Sequence, residues 1–245
     1  MIIGIIPARY ASSRFPGKPL ARILGKSMIQ RVWEQANLSQ RLNRIIVATD
    51  DERIFNEVIA FGGTCHMTAS HHQSGTDRCA EVAAQLKLDN TSVVINIQGD
   101  EPYIRPEQID ILCDSFSNPH VQLATLIKSF RNLEEVRSTH AVKAIIDTHG
   151  RALYFSRAAI PFFRDEHETH VEAFWQHIGI YGYRADTLRA LSELEPSILE
   201  KAEKLEQLRW LENGFSIQTA KAEFESWSID TPEDLEKVIR YFGNR

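Results

Sequence analysis

Short, wholly apolar runs separated by helix-spaced segments limit what this chain can become. Residues 2–6 (IIGII), 44–48 (RIIVA) and 92–97 (SVVINI) carry aliphatic side chains on both faces of an extended backbone. A strand that is apolar on both faces must be covered on both faces. A mostly parallel sheet with helices above and below does this. Helical spacing occurs where that arrangement needs it. Within residues 28–38, Met28, Ile29, Val32, Trp33 and Ala36 fall on one helix face. Residues 52–61, 76–86 and 106–116 give further helices, the first stopped by Gly62-Gly63 and the last opened by Pro106. Residues 64–67 and 122–128 complete the alternation as strands. Ligands of such sheets bind beyond the carboxyl ends of the strands. Three loops stand there: residues 7–18, the ATDDE of 48–52 and the QGDEP of 98–102.

After residue 130 the pattern changes. Residues 140–147 (HAVKAIID) and 176–183 (QHIGIYGY) read as strands joined by a long irregular stretch. Helices follow over 185–194 and 197–213, with Gly214 as the C-cap of the second. A strand over 215–220 comes next, and Thr231-Pro232-Glu233-Asp234 opens a last helix. No repeat, low-complexity segment or linker interrupts the chain. Residues 1–245 therefore read as one α/β domain, with a lid-like insertion over 130–190 that covers the binding edge of the sheet.

A net charge of −5 argues against non-specific nucleic-acid binding, which favours a basic surface. Cys65, Cys79 and Cys113 have no CxxC spacing and read as reduced, packed thiols. The first apolar run has no basic segment before it and ends at Pro7 and Arg9, so it reads as a strand and not a signal peptide. No apolar stretch is long enough to span a bilayer. A soluble, cytoplasmic protein is expected.

The opening loop, PARYASSRFPGKPL, brings Arg9, Arg14 and Lys18 together among small residues after a strand. Backbone N–H groups and three cations can converge there on an anion. It is not a P-loop, because Pro19 stands where a metal-binding hydroxyl would be needed. Asp100, after the strongest strand, is placed to hold Mg²⁺, though an Asp there equally serves as a turn-former or helix cap. Asp230 in SIDTPEDLE precedes a helix whose start needs no ligand to explain it. SGTDR (residues 74–78) reads equally as a nucleoside-binding loop or a helix cap. Arg157 and His177 are either structural or partners of an acidic ligand, since a buried Arg needs an anion. His71-His72 lacks the spacing of a zinc site.

PARYASSRFPGKPL, VATDD, HQSGTDR, INIQGDEP, ALYFSRAAIP, HIGIYGYR, LEQLRWLENG and IDTPEDLE occur in this order. Together they closely resemble the 3-deoxy-manno-octulosonate (Kdo) cytidylyltransferase family, also called CMP-Kdo synthetases, from residue 2 to about 240. The resemblance implies a Rossmann-like nucleotidyltransferase fold with a small substrate and dimerisation subdomain. It implies transfer of CMP from CTP to Kdo, with release of pyrophosphate, for lipopolysaccharide assembly. It further implies a homodimer and Mg²⁺ as cofactor. Carried over by motif, Arg9, Arg14 and Lys18 bind the CTP phosphates, and Asp100 and Asp230 hold Mg²⁺. Ser74, Gly75 and Gln98 lie against the nucleoside. Arg157, His177, Tyr181, Glu206 and Gln207 line the sugar pocket. Two departures stand out. Ser138-Thr139-His140 replaces a common Asn-Pro-Asn, and Trp227-Ser228 precedes Ile229-Asp230 where a Gly is usual in place of Ser228. A sister activity on the 8-amino form of Kdo shares much of the pattern. It often carries Gln where Glu101 stands here, which favours ordinary Kdo.

Overall fold

The computed structural model describes residues 1–11, 14–165, 170–224 and 227–243. Strand β1 (Ile2–Ala8) leads through a small hairpin, β2 (Arg22–Ile23) and β3 (Lys26–Ser27), into α1 (Met28–Ala36) and β4 (Arg44–Thr49). The alternation continues through α2 (Glu52–Ala60), β5 (Cys65–Met67), α3 (Gly75–Gln85), β6 (Val93–Asn96), α4 (Pro106–Asp114) and β7 (Leu123–Ser129). Then come α5 (Leu133–Arg137), the hairpin β8 (Lys143–Ile146) and β9 (Ala152–Ser156), and the long β10 (Trp175–Arg184). The chain closes with α6 (Ala185–Ser192), α7 (Ile198–Glu203), α8 (Gln207–Glu212), β11 (Gln218–Lys221) and α9 (Pro232–Gly243).

Nine strands form one sheet, with a main path β11-β7-β10-β6-β1-β4-β5. β1 pairs in parallel with β4 and β6, β4 with β5, and β7 with β11. On that path only β10 runs the other way, antiparallel to β6 and β7. The sheet is thus largely parallel, as the doubly apolar strands require. Ile6, Val47 and Ile95 face α1, α2 and α4. Ile3, Ile5 and Ile46 face α3, α6 and α8 on the other side.

The long helix expected over 197–213 is two helices. Lys204 adopts a left-handed conformation, φ 55°, and stops α7; this conformation costs a non-glycine residue about 1 kcal/mol. The strong helix formers around it hide the break from sequence. Leu205 is buried at the break, and Glu206 and Gln207 start α8. Residues 130–190 do not form a separate insertion either. β10 lies inside the main sheet, and the β8–β9 hairpin pairs with the start of β10 and packs onto the core. The period-2 pattern of QHIGIYGY gives a strand but not its partners. Ser12 and Ser13 of the opening loop, and residues 166–169, lie outside the described residues.

Candidate active site

The opening loop folds back on itself. Gly17 takes φ +72° and its N–H donates to the Tyr10 carbonyl at 2.9 Å. A turn of 3-10 helix then carries Lys18 inward. The Lys18 ammonium donates to Asp100 Oδ2 at 2.7 Å and to the Ile229 carbonyl at 2.9 Å, and stands 3.5 Å from Asp230 Oδ1. Arg14 donates to the same Asp230 oxygen at 3.0 Å. The two acidic segments are also stapled by backbone, Ile229 N–H to the Asp100 carbonyl at 3.0 Å. Four expected residues from distant parts of the sequence, Arg14, Lys18, Asp100 and Asp230, thus meet in one cluster.

What places Asp230 is a small apolar cluster. Ile229 packs with Ile23, Met28 and Val238, and Trp227 and Tyr103 border them. Trp227 lies against the rings of Tyr241 and Phe242, with centroids 4.5 and 5.4 Å away. The unusual Trp227 thus anchors the segment before α9 that carries Asp230. Asp234 accepts from the N–H groups of Asp230 and Thr231 and caps α9.

Beside this cluster lies a cavity of about 260 Å³, lined among others by Arg9, Arg14, Lys18, Gln98, Asp100 and Asp230. Ser74 and Gly75 form its far wall. Ser74 is the N-cap of α3, in a reciprocal capping box with Asp77. The helix-cap reading of SGTDR holds, and Ser74 and Gly75 also line the cavity. Gly75, the first residue of α3, lines the cavity, so the positive end of the helix dipole lies beside it and favours an anion. Two lining residues were not singled out from sequence. Arg78, on the third residue beyond Gly75, is buried and paired with Asp50 at 2.9 Å. His72 pairs with Glu81 at 2.5 Å. Both stand inside or beside the HQSGTDR motif, the signal that could have found them.

Among the described residues no group of three or more His, Cys, Asp and Glu could hold a metal ion. Two carboxylates and a carbonyl do converge, and they already hold the cationic nitrogen of Lys18. That donor set fits Mg²⁺, which takes one or two protein carboxylates and completes its shell with phosphate oxygens and water.

A second cavity, about 370 Å³, shares Gly75 and Gln98 with the first. His177, Tyr181, Glu206 and Gln207 line it, as expected, together with Asn96 and His140. The break between α7 and α8 presents Glu206 and Gln207 to it. Glu206 accepts from Thr76 Oγ1 at 2.9 Å and from Arg209 at 3.3 Å. Burial nevertheless pushes its carboxyl above the usual range. Asn96 Oδ1, the Tyr181 hydroxyl and Gln207 Nε2 are buried without a hydrogen-bond partner in the protein. The lining therefore holds unused capacity for a polyhydroxylated ligand. His177 is half-buried against Phe155, and desolvation pushes its pKa down to about 3. Its Nε2 lies 3.0 Å from Thr125 Oγ1, whose hydroxyl is 2.8 Å from the Ile180 carbonyl. Thr125 donates to that carbonyl, so the neutral imidazole carries its proton on Nε2 and keeps Nδ1 as an acceptor.

Arg157 is not among the residues lining either cavity, contrary to expectation. Its guanidinium donates to the carbonyls of Glu203 at 2.8 Å and Thr139 at 3.1 Å. Backbone carbonyls here take the place of the anion that a buried Arg was expected to need.

The comparisons with known proteins agree with this geometry. A family model described as Cytidylyltransferase matches residues 3–238. A 3-deoxy-manno-octulosonate cytidylyltransferase of Parabacteroides distasonis is 49% identical, over 99% of this chain and 98% of that protein. Its counterpart in Cytophaga hutchinsonii is also 49% identical, over 97% and 96%. A CMP:2-keto-3-deoxy-manno-octonic acid synthetase solved in complex with CTP superposes with a TM-score of 0.92 at 41% identity, covering 99% of this chain and 98% of that one. With a strand-end cavity built of cations and carboxylates joined to a polar second cavity, and with these relatives along its whole length, the chain belongs to the 3-deoxy-manno-octulosonate cytidylyltransferase family.

Proposed function

We propose that this enzyme joins CMP from CTP to the anomeric 2-hydroxyl of Kdo and releases pyrophosphate. One observation carries the reading: the cationic cavity and the polar cavity meet at Gly75 and Gln98, beside Asp100. A nucleotide in the first and a sugar acid in the second bring the α-phosphorus and the 2-hydroxyl together. Positioning of this kind accounts for much of phosphoryl-transfer catalysis.

Arg9, Arg14 and Lys18 hold the triphosphate and stabilise the pyrophosphate as it leaves. Ser74, Gly75 and Gln98 lie against the nucleoside. Asp100 and Asp230 hold Mg²⁺, which when bound supplies charge neutralisation at phosphorus and acidifies the attacking hydroxyl. His177 accepts a sugar hydroxyl at Nδ1, and Tyr181, Glu206 and Gln207 bind further hydroxyls. Arg157 serves the sugar site through the Thr139-His140 backbone it holds. The cysteines take no part. Burial pushes the Cys65 and Cys113 thiols up to about 12 and that of Cys79 upward too, so none supplies a thiolate nucleophile. No described helix is long and apolar enough to cross a membrane. A cytoplasmic homodimer that supplies activated Kdo for lipopolysaccharide assembly completes the proposal.

The test is pyrophosphate release across a panel of nucleotides and sugars. CTP with Kdo and Mg²⁺ is expected to be the active combination. Asp100→Asn and Asp230→Asn are expected to lower turnover by orders of magnitude at an unchanged thermal midpoint. Near-normal turnover in both variants would remove the two carboxylates from the metal site.

A further inference from the structure

The second cavity has two ends. One is its border with the nucleotide cavity at Gly75 and Gln98, and the carbon that receives the phosphate must lie there. Crossing the sheet outward from β6 over β10 towards β8 leads to the other end, formed by His140, Val142 and Gln176. An eight-carbon 2-keto acid seated for reaction at C2 therefore points its C7–C8 tail at His140.

The loop that carries His140 is held on two sides. Lys143 is fully buried, and its ammonium donates to the carbonyls of Ser138, Ala141 and Arg157. Burial pushes the Lys143 pKa down, but three carbonyl acceptors call for three N–H donors, which the charged ammonium supplies. Arg157 donates to the carbonyl of Thr139, between Ser138 and His140. Among the described residues the carboxylate hydrogen-bonded to this corner is that of Glu203, which accepts from the Ser156 hydroxyl and the Arg157 N–H. Two cations against one carboxylate leave this end of the cavity positively biased.

We propose that His140 is a specificity-determining residue that reads the tail of the sugar acid. Its imidazole exchanges a hydrogen bond with a terminal hydroxyl, which can both donate and accept. An otherwise identical acid with a terminal amine brings a third cation to the same corner and is disfavoured. Discrimination then comes from a repulsive element as much as from an attractive one. The proposal rests on the CMP-transfer reading above. It also gives the departure at Ser138-Thr139-His140 a role that sequence alone left open.

The experiment compares kcat/KM for Kdo and for its 8-amino analogue, with CTP, in the wild type, His140→Asn and His140→Glu. His140 is exposed, so both variants should keep the wild-type thermal midpoint. His140→Glu is expected to shift the preference towards the amino sugar by about tenfold. His140→Asn should fall between, with KM for CTP unchanged in both. A preference that stays within about twofold of wild type in both variants, while Kdo is still used, overturns the role of His140 and leaves the CMP-transfer reading intact. A wild-type enzyme that uses neither acid overturns that reading and this inference with it.

Discussion

Gly99 offers a direct measure of how tightly the site is built. A Cβ placed on it would stand 2.6 Å from the carbonyl oxygen of Pro7, where ordinary contact begins near 3.4 Å. Gly99→Ala therefore demands about 0.8 Å of movement. The carbonyl cannot give much. Pro7 lies in β1, in register with Ala48 of β4, and Ile97 N–H donates to the Ile5 carbonyl at 2.9 Å just before the turn. The turn that carries Asp100 must take up the displacement. Moving it that far breaks the 2.7 Å contact between Lys18 and Asp100 and strains the 3.0 Å bond from Ile229. Overpacking of this kind costs about 1–3 kcal/mol. For a chain of this size each kcal/mol lowers Tm by about 2–4 °C. Misplacing a catalytic group by about 1 Å costs about 100-fold in rate. Continuous pyrophosphate release at saturating CTP and Kdo should show kcat reduced about 10- to 100-fold, and a thermal scan should show the lowered midpoint. A Gly99→Ala enzyme with wild-type kcat and midpoint would refute the rigid apposition of the two turns.

Lys18→Gln removes a charge-assisted contact worth about 1.5–3 kcal/mol and should weaken CTP binding about 10- to 100-fold; an unchanged CTP titration would exclude Lys18 from the phosphate site. Trp227→Ala strips the ring that anchors the Asp230 segment and should cost about 1–3 kcal/mol, with a fall in kcat that exceeds any change in CTP affinity; full activity at a lowered midpoint would show that the anchor does not reach the chemistry. His177 gives a pH signature, because its folded pKa of about 3 lies below its ordinary 6.5. The unfolded chain binds a proton there that the native state refuses, so stability is complete above pH 6.5 and is lost as pH falls towards 3, by at most about 1.4 kcal/mol per pH unit. His177→Asn should flatten the pH dependence of urea unfolding between those limits, and curves that stay parallel to wild type would contradict a desolvated, neutral imidazole.

The sheet was legible because its strands are apolar on both faces, which periodicity reports directly. The cationic cavity was legible for a related reason. Arg9, Arg14, Lys18 and Asp100 sit in loops whose place is fixed once the strands are known. The polar cavity was harder. Glu206 and Gln207 depend on a helix break at Lys204 that helix-forming neighbours conceal, and α8 meets the cavity only through tertiary packing. Asp230 depends on Trp227 meeting Tyr241 and Phe242, a contact formed only after α9 docks. The resemblance places Arg157 in the sugar pocket, and the rule that a buried charge needs a partner is compatible with that. That rule holds, but it does not name the partner, and here carbonyls of Glu203 and Thr139 fill the role. His140 gave no periodic signal because it is an exposed loop residue, placed by a buried lysine three positions on.

The cations of the opening loop and the carboxylates of the two acidic loops look, in sequence, like binders of different things. In the structure they bind each other. Lys18 lies between Asp100 and Asp230, and Arg14 covers the second oxygen-rich end. This solves a problem that either set would face alone. Unpaired carboxylates brought together, or unpaired cations in a cavity, would repel and lower stability. Under the proposed reaction, arrival of a triphosphate with Mg²⁺ exchanges partners and leaves few charges newly exposed. Each cation gives up a carboxylate for a phosphate oxygen, and each carboxylate gives up an ammonium or guanidinium for the metal. The count of opposite-charge contacts is kept, so the desolvation cost of assembling the site is not incurred a second time on binding. The same exchange accounts for the absence of a hydroxyl after Lys18. A P-loop must supply its metal ligand from the phosphate loop itself, whereas under the proposed reaction Asp100 and Asp230 would hold the metal, from two other loops that Lys18 already grips.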